Sequence, residues 1–206
     1  MPAASDKVLA PAAWWDDEDA VQRFVADLVA SELAAMRPTG PALPPQPWPA
    51  SLHIGRDLGA DSLELMGLAS ALAEALHMHE SGIEDYLLVR QTLGEWGHIA
   101  RTSLSRFSAR LTFRTSGSTG VPKSCSHDLD ALWQEIQAFA PLLQGTRRIF
   151  TAVPAHHIYG FLFTMLDSHA IPSFLAVAWQ FLATIVLYPF AHLLIDRFED
   201  ADVRFR

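Results

Sequence analysis

The 206-residue sequence predicts a mixed α plus α/β chain: a helical bundle, then a β-loop-α-β segment, then one hydrophobic helix. Three observations carry that assignment. Residues 1–100 hold 5 Lys/Arg against 15 Asp/Glu and repeat apolar residues at helical spacing, whereas residues 101–206 hold 10 against 8. A short apolar run, Leu111-Thr112-Phe113, breaks into hydroxyls, glycines and a lysine. Finally, the 25 residues from Ile171 to Ile195 contain no Asp, Glu, Lys or Arg. The two halves are therefore different objects, one strongly acidic and one near neutral. Neither carries the basic patch of a nucleic-acid reader, so no nucleic-acid partner is expected. Cys125 is the sole cysteine, which excludes an internal disulfide and a cysteine-rich zinc site and fits a reducing compartment. No positive stretch followed by an apolar run opens the sequence, so no signal peptide is expected and residues 1–170 are expected in the cytoplasm.

Taken in order, residues 1–15 are rich in Ala and Pro and are expected to fray. From Asp16 the pattern changes: Val21, Phe24, Val25, Leu28, Val29, Leu33 and Met36 recur at helical spacing, and Asp16, Asp17, Glu18 and Asp19 lie where acids complement a helix dipole. Six prolines between Pro38 and Pro49 make the next stretch a loop. A second helix starts at Asp61-Ser62 and carries Leu63, Leu65, Met66, Leu68, Leu72 and Leu76 over a broad apolar face. Ile83 to Leu88 forms a short third helix, and Thr92 to Ala100 a closing one. These elements fill residues 16–101, with a polar linker over 102–110.

The loop after Leu111-Thr112-Phe113 reads Thr115-Ser116-Gly117-Ser118-Thr119-Gly120-Val121-Pro122-Lys123. Glycines let backbone N–H groups approach closely, hydroxyls donate hydrogen bonds, and one lysine adds a point charge, a composition suited to phosphate oxygens. Val121 and Pro122 separate Gly120 from Lys123, so this is not a Walker A loop, and no glycine stands two residues before Ser118, so it is not a nucleophile elbow. An ordinary surface loop rich in Ser, Thr and Gly has the same composition but no reason to end in Pro-Lys. Leu129, Leu132, Trp133, Ile136 and Phe139 then place a helix over Ser124 to Leu143, and Arg147 to Pro154 reads as a second buried strand. The adjacent His156 and His157 have no third partner at metal-ligand spacing, and neither do His77 and His79, which as i, i+2 helix positions point apart, so no metal site is expected.

The string from Thr115 to Lys123 strongly resembles the phosphate-binding signature of the AMP-forming acyl-activating enzymes, the acyl-CoA synthetase and adenylation superfamily. Pro154, His157 and Gly160 fit a proline, a histidine and a glycine that this family commonly carries beside its carboxylate-substrate pocket, with Tyr159 and Phe161 as pocket walls. The resemblance implies ATP with Mg as cofactor and a carboxylic acid or acyl thioester as partner. In the family the carboxylate attacks the α-phosphate to give an acyl-adenylate and pyrophosphate, and a pantetheine thiol then takes the acyl group. By resemblance Thr115, Ser116, Gly117, Ser118, Thr119, Gly120 and Lys123 hold the phosphates, and His157, Tyr159 and Gly160 shape the pocket. A second resemblance concerns Ser62: behind Gly59 and beside Asp61, within a series of helices in carrier order, it is similar to the serine of acyl carrier proteins that receives 4′-phosphopantetheine. That implies a phosphopantetheinyl transferase or carrier-dependent enzymes as partners. The alternative for Ser62 is a helix N-cap.

The acyl-activating resemblance covers residues 111–166 and fades beyond Leu166: no acid-containing ATP motif, ribose-binding aspartate or C-terminal lysine motif follows. The expected segment, 111–170, is thus a truncated adenylation unit with no complete catalytic set, unable to form an adenylate alone. Phe174 to Ile195 would make a helix about 33 Å long, enough to cross a bilayer core. Residues 171–195 are therefore a candidate transmembrane helix that would associate the chain with a membrane, followed by a charged tail over 196–206. Three functions follow: a truncated acyl-activating ligase whose parent would activate a carboxylic acid, fatty or aryl, with fatty-acid or polyketide metabolism as its setting, a non-catalytic carrier loaded at Ser62, and a membrane-anchored interaction protein.

Overall fold

A computed structural model describes residues 13–115, 123–139 and 153–167. Over these residues the chain is a mixture of helices and one two-stranded sheet: α1 (Glu18–Met36), α2 (Ile54–Asp57), α3 (Ser62–Ala75), α4 (Tyr86–Val89), α5 (Leu93–Arg106), β1 (Arg110–Thr115), β2 (Lys123–Asp128), α6 (Leu129–Phe139) and α7 (Ile158–Asp167). Helices α1, α3 and α5 enclose the main core. Val21, Phe24, Val25, Val29 and Leu33 of α1 meet Leu68 and Leu72 of α3 and Trp96, Ala100 and Leu104 of α5, all buried. Trp96 is fully enclosed, and its indole N–H reaches the carbonyls of Leu87 at 3.0 Å and Arg90 at 2.6 Å, so the ring's one polar atom is satisfied inside the core.

Each long helix starts where a side chain meets its orphan N–H groups. Asp17 caps α1 by accepting from Ala20 N–H at 3.1 Å, so the helix begins two residues later than the acidic run suggests. Asp61, rather than Ser62, caps α3, accepting from the N–H groups of Leu63 and Glu64 while Glu64 reaches back to Asp61 N–H. Thr92 and Glu95 form the same reciprocal box at α5. That last helix runs on to Arg106, through most of the stretch expected to be a linker. Residues 13–15 are anchored, contrary to the expectation of fraying. The Trp14 ring packs on Phe24 at 5.8 Å and on Phe161 at 5.1 Å, and the Trp15 carbonyl accepts from Arg101 at 2.8 Å.

The larger correction concerns residues 123–128. They form no helix; they return as β2, antiparallel to β1, in the register Arg114↔Ser124 and Thr115↔Lys123, and only then does α6 begin. The phosphate-loop sequence thus joins two strands of a hairpin instead of leading from a strand into a helix. At the far end Leu129 N–H donates to Ala109 C=O at 2.8 Å, which closes the hairpin as α6 starts. β1 is buried on both faces. Leu111 and Phe113 enter the core, with the Phe113 ring 5.4 Å from Phe161, while the buried Thr112 hydroxyl meets His77 Nε2 at 2.9 Å and Ser126 Oγ at 2.6 Å. His77 itself lies past the end of α3 in a left-handed conformation, φ 51°, not on the helix.

The expected strand over Arg147 to Pro154 lies outside the described residues apart from Val153 and Pro154, which are not in a strand. The candidate transmembrane run Ile171 to Ile195 also lies outside them. Among the described residues no helix is long and apolar enough to cross a membrane.

Candidate functional site

Two segments converge at the open end of the β1–β2 hairpin. The first is the hairpin mouth. Thr115 and Lys123 form its last pair, with Thr115 Oγ1 donating to the Lys123 carbonyl at 3.3 Å, and both side chains are exposed. Thr115 and Lys123 therefore stand about 5 Å apart, the spacing of paired antiparallel strands. Ser116, Gly117, Ser118, Thr119 and Gly120, expected to bind phosphate with Thr115 and Lys123, lie outside the described residues.

One step inside that mouth, the helices grip the strands. The Glu74 carboxylate, near the C-terminal end of α3, accepts from Arg114 Nη2 at 2.9 Å with one oxygen and from Ser124 Oγ at 2.6 Å with the other. Arg114 turns its other nitrogen to Glu32 of α1, with contacts of 2.9 and 3.1 Å. The Ser124 hydroxyl and then Arg114 hold the Glu74 carboxyl below the usual carboxylate range, so the group is ionised at neutral pH. Arg114 is thereby neutralised by two acids, which leaves Lys123 as an exposed cation at the mouth.

The second segment is Pro154-Ala155-His156-His157, leading into α7. Asp27 of α1 accepts from Ala155 N–H at 2.7 Å, and burial pushes its carboxyl up. Gly160 presses on this turn: a Cβ there would lie 2.0 Å from the Pro154 carbonyl oxygen, so any side chain would displace backbone. This is a packing reason for the glycine, separate from its expected role in a substrate pocket. His156 is largely buried, its Nδ1 has no hydrogen-bond partner, and burial, followed by the neighbouring His157, lowers its imidazole to about 4. It is neutral at pH 7.

Between the two segments lies a cavity of about 230 Å³, lined among others by Glu32, Glu74, Arg114, Thr115, His156 and His157. The structure thus sets Thr115 of the hairpin mouth and the histidine pair on one cavity wall. Tyr159 stands at the surface, 67% exposed, and Phe161 is buried among Trp14, Phe24 and Phe113, so neither lines this cavity. Among the described residues no group of three His, Cys, Asp or Glu side chains is placed to hold a metal ion.

Ser62 is the first residue of α3, exposed, beside Leu63 at 75% and Met66 at 56% exposure. Arg37 fixes the turn before it. Its guanidinium donates to the Leu58 and Gly59 carbonyls at 3.0 and 2.9 Å and makes a two-pronged pair with Glu64, which draws that carboxyl down to about 2. Gly59, at φ 65°, gives the turn its left-handed step. The reading of residues alone missed Glu32, Glu74, Arg114 and Asp27, because their partners lie 40 to 128 residues away.

The described residues form a helical module bound to a hairpin whose strands flank a hydroxyl- and glycine-rich stretch. The chain is 39% identical over 182 residues to a 4-coumarate–CoA ligase of Cereibacter sphaeroides, in a match covering 80% of this chain and 43% of the relative. It is 36% identical over 167 residues to one of Halorhodospira halophila, covering 75% and 42%, and 34% identical over 158 residues to one of Rhodobacter capsulatus, covering 71% and 40%. No family model matches, and no solved structure matches significantly. The chain is thus a partial match to ligases of the AMP-forming acyl-activating family and spans about two-fifths of the length of these curated relatives. Continuous matches of 71–80% necessarily include much of the helical module as well as the hairpin.

Proposed function

We propose that this chain supplies the polyphosphate grip of an acyl-activating ligase that uses ATP with Mg, acts on a carboxylic acid, and yields a thioester. The observation that carries the reading is the hairpin mouth: Lys123 pairs with Thr115, which sets the two ends of the glycine- and hydroxyl-rich stretch side by side with an exposed cation at one of them. Such a loop acts by position and charge. It holds the β and γ phosphates while negative charge moves onto the departing pyrophosphate, and forms no covalent bond. The described residues fit the phosphate end of a nucleotide. When bound, a magnesium ion would neutralise developing charge there. The cavity beside the mouth, with His157 on its wall and Gly160 supporting the histidine turn, is the place for the acid. Isothermal titration of the full chain with inorganic pyrophosphate tests the grip. Binding that weakens at least about tenfold in Lys123→Ala is expected, a loss of about 1.4 kcal/mol. No binding by the unaltered chain would sink the reading.

A second reading is favoured by one observation, the exposed Ser62 followed by exposed Leu63 and Met66: a carrier serine loaded with 4′-phosphopantetheine. Against it stands the packing of α3, whose far end holds the hairpin through Glu74, so the module is no free carrier on a tether. Ser62 and Glu74 are about 18 Å apart along the helix, at about 1.5 Å per residue. Intact mass after co-expression with a phosphopantetheinyl transferase separates the two. The ligase reading predicts no added phosphopantetheine; a gain abolished by Ser62→Ala would establish the carrier.

A further inference from the structure

Away from the hairpin, a cavity of about 480 Å³ lies between α4 and α5, in the size range of small-molecule clefts. It follows from unequal helix lengths: α5 has 14 residues and α4 only 4, so α4 covers part of α5 and leaves the rest of its length open. On α5, Glu95, Ile99, Thr102 and Arg106 recur at i, i+4, i+7 and i+11, which sets them in one stripe along the helix. Ile83 and Tyr86 stand opposite that stripe. The cavity shares no lining residue with the one beside the hairpin.

The two ends of the cavity differ in charge. At the start of α5, Arg90 pairs with one oxygen of Glu95 at 3.3 Å, and the other oxygen takes the Thr92 N–H at 3.1 Å and the Thr92 hydroxyl at 2.9 Å. That end is neutral and its bonds are taken. At the last residue of α5, the exposed Arg106 reaches the Ser81 carbonyl at 3.5 Å, and among the described residues no carboxylate lies within ion-pair distance of it. Between the ends, buried Ile83 and Ile99 give an apolar floor, and Tyr86 offers a ring that is 59% exposed. We propose that this cavity binds a small organic monocarboxylate, its carboxylate on Arg106 and its apolar body over Ile83, Ile99 and Tyr86. The two oxygens of a carboxylate match the parallel N–H groups of a guanidinium. A polyanion fits less well, because Glu95 repels further negative charge and the C-terminal end of α5 carries about half a negative charge, which the full charge of Arg106 exceeds. The site stands whether or not the hairpin grips phosphate.

Titration of the full chain with benzoate, and with benzamide as its uncharged counterpart, tests the assignment when followed by NMR at the amides of Ile83, Gly94, Ile99 and Thr102. These resonances should move with benzoate, which should bind about fivefold more tightly than benzamide. Arg106→Gln should weaken benzoate about fivefold and leave benzamide within about twofold, because only the charged head uses the guanidinium. Arg106→Lys, which keeps the charge, should recover most of the loss. Tyr86→Ala should weaken both ligands alike, by about threefold, through the lost ring contact. Both side chains are exposed, so melting temperatures should stay near that of the unaltered chain. Benzoate that leaves the α5 resonances unmoved, or that binds Arg106→Gln as tightly as the unaltered chain, overturns the site. Movement confined to Thr115, His156 and His157 overturns it as well, since the acid would then lie in the cavity beside the hairpin.

Discussion

The helical module and the hairpin are held by different forces. Helices α1, α3 and α5 meet through fully enclosed aliphatic and aromatic side chains, and their polar contacts are mostly local caps. The hairpin and the histidine turn add Phe113 and Phe161 to the core, but polar bonds to the helices set their exact placement. These run from Glu74 and Glu32 to Arg114 and Ser124, from His77 to Thr112, and from Asp27 to Ala155. Burial is non-directional and tolerates small shifts, whereas hydrogen bonds specify geometry. The module therefore supplies stability, and its edge supplies aim. That division suits the proposed phosphate grip, which needs its flanking strands in a defined place.

The largest effect expected from breaking this comparison lies on the module side. Trp96→Ala removes a fully enclosed ring and leaves two carbonyls, Leu87 and Arg90, without their donor. A loss of about 4 kcal/mol is expected, read as a lower urea midpoint. If Trp96→Ala shifted the midpoint no more than a surface substitution, the module would not be the source of stability.

How much of this was legible in the sequence follows the same line. The helices were legible because caps and apolar spacing act over a few residues: Asp61 with Glu64 and Thr92 with Glu95 are signals within one turn. Even there, which of Asp61 and Ser62 caps the helix was settled by backbone geometry, since either side chain could do so. β2 was misread because the strong periodicity of Leu129, Leu132, Ile136 and Phe139 invites extending α6 backwards. The alternation in KSCSHD, with Cys125 and His127 half-buried between exposed neighbours, is faint without an aliphatic residue. The loop composition pointed to a chemistry, but the groups that hold the strand pair beside it were not legible. Glu32 and Arg114 are 82 residues apart and Glu74 and Ser124 are 50 apart, and an exposed Glu on an amphipathic helix looks the same with or without such a partner.

A smaller effect sharpens the comparison from the other side, through pH. The His156 imidazole titrates near 6.5 in an open chain and about 4 in the folded one, because burial disfavours its charged form. Between those values the unfolded chain binds more protons, so folding loses stability as pH falls: the full contribution is present above about 6.5 and gone near 4. His77, also lowered mainly by burial, acts in the same direction. Asp27 works the other way, since burial raises its carboxyl and the folded chain holds a proton there that the unfolded chain has lost; Arg23 and His157 temper that rise. Asp27's contribution lies nearer the carboxylate range, so the histidines dominate between about pH 6.5 and 5. The full His156 contribution is about 3 kcal/mol, of which a melt at pH 5 against pH 7.5 reads the larger part. His156→Phe, which keeps an aromatic ring and cannot ionise, should remove most of that difference, whereas a pH dependence equal to that of the unaltered chain would locate the sensitivity elsewhere. Circular dichroism melts at the two pH values test this. If the turn rather than the module is what protonation disturbs, hydrogen exchange at pH 5 should rise at 155–161 before it rises in α1, α3 or α5, because His156 lies in that turn and α1, α3 and α5 are held by their shared core.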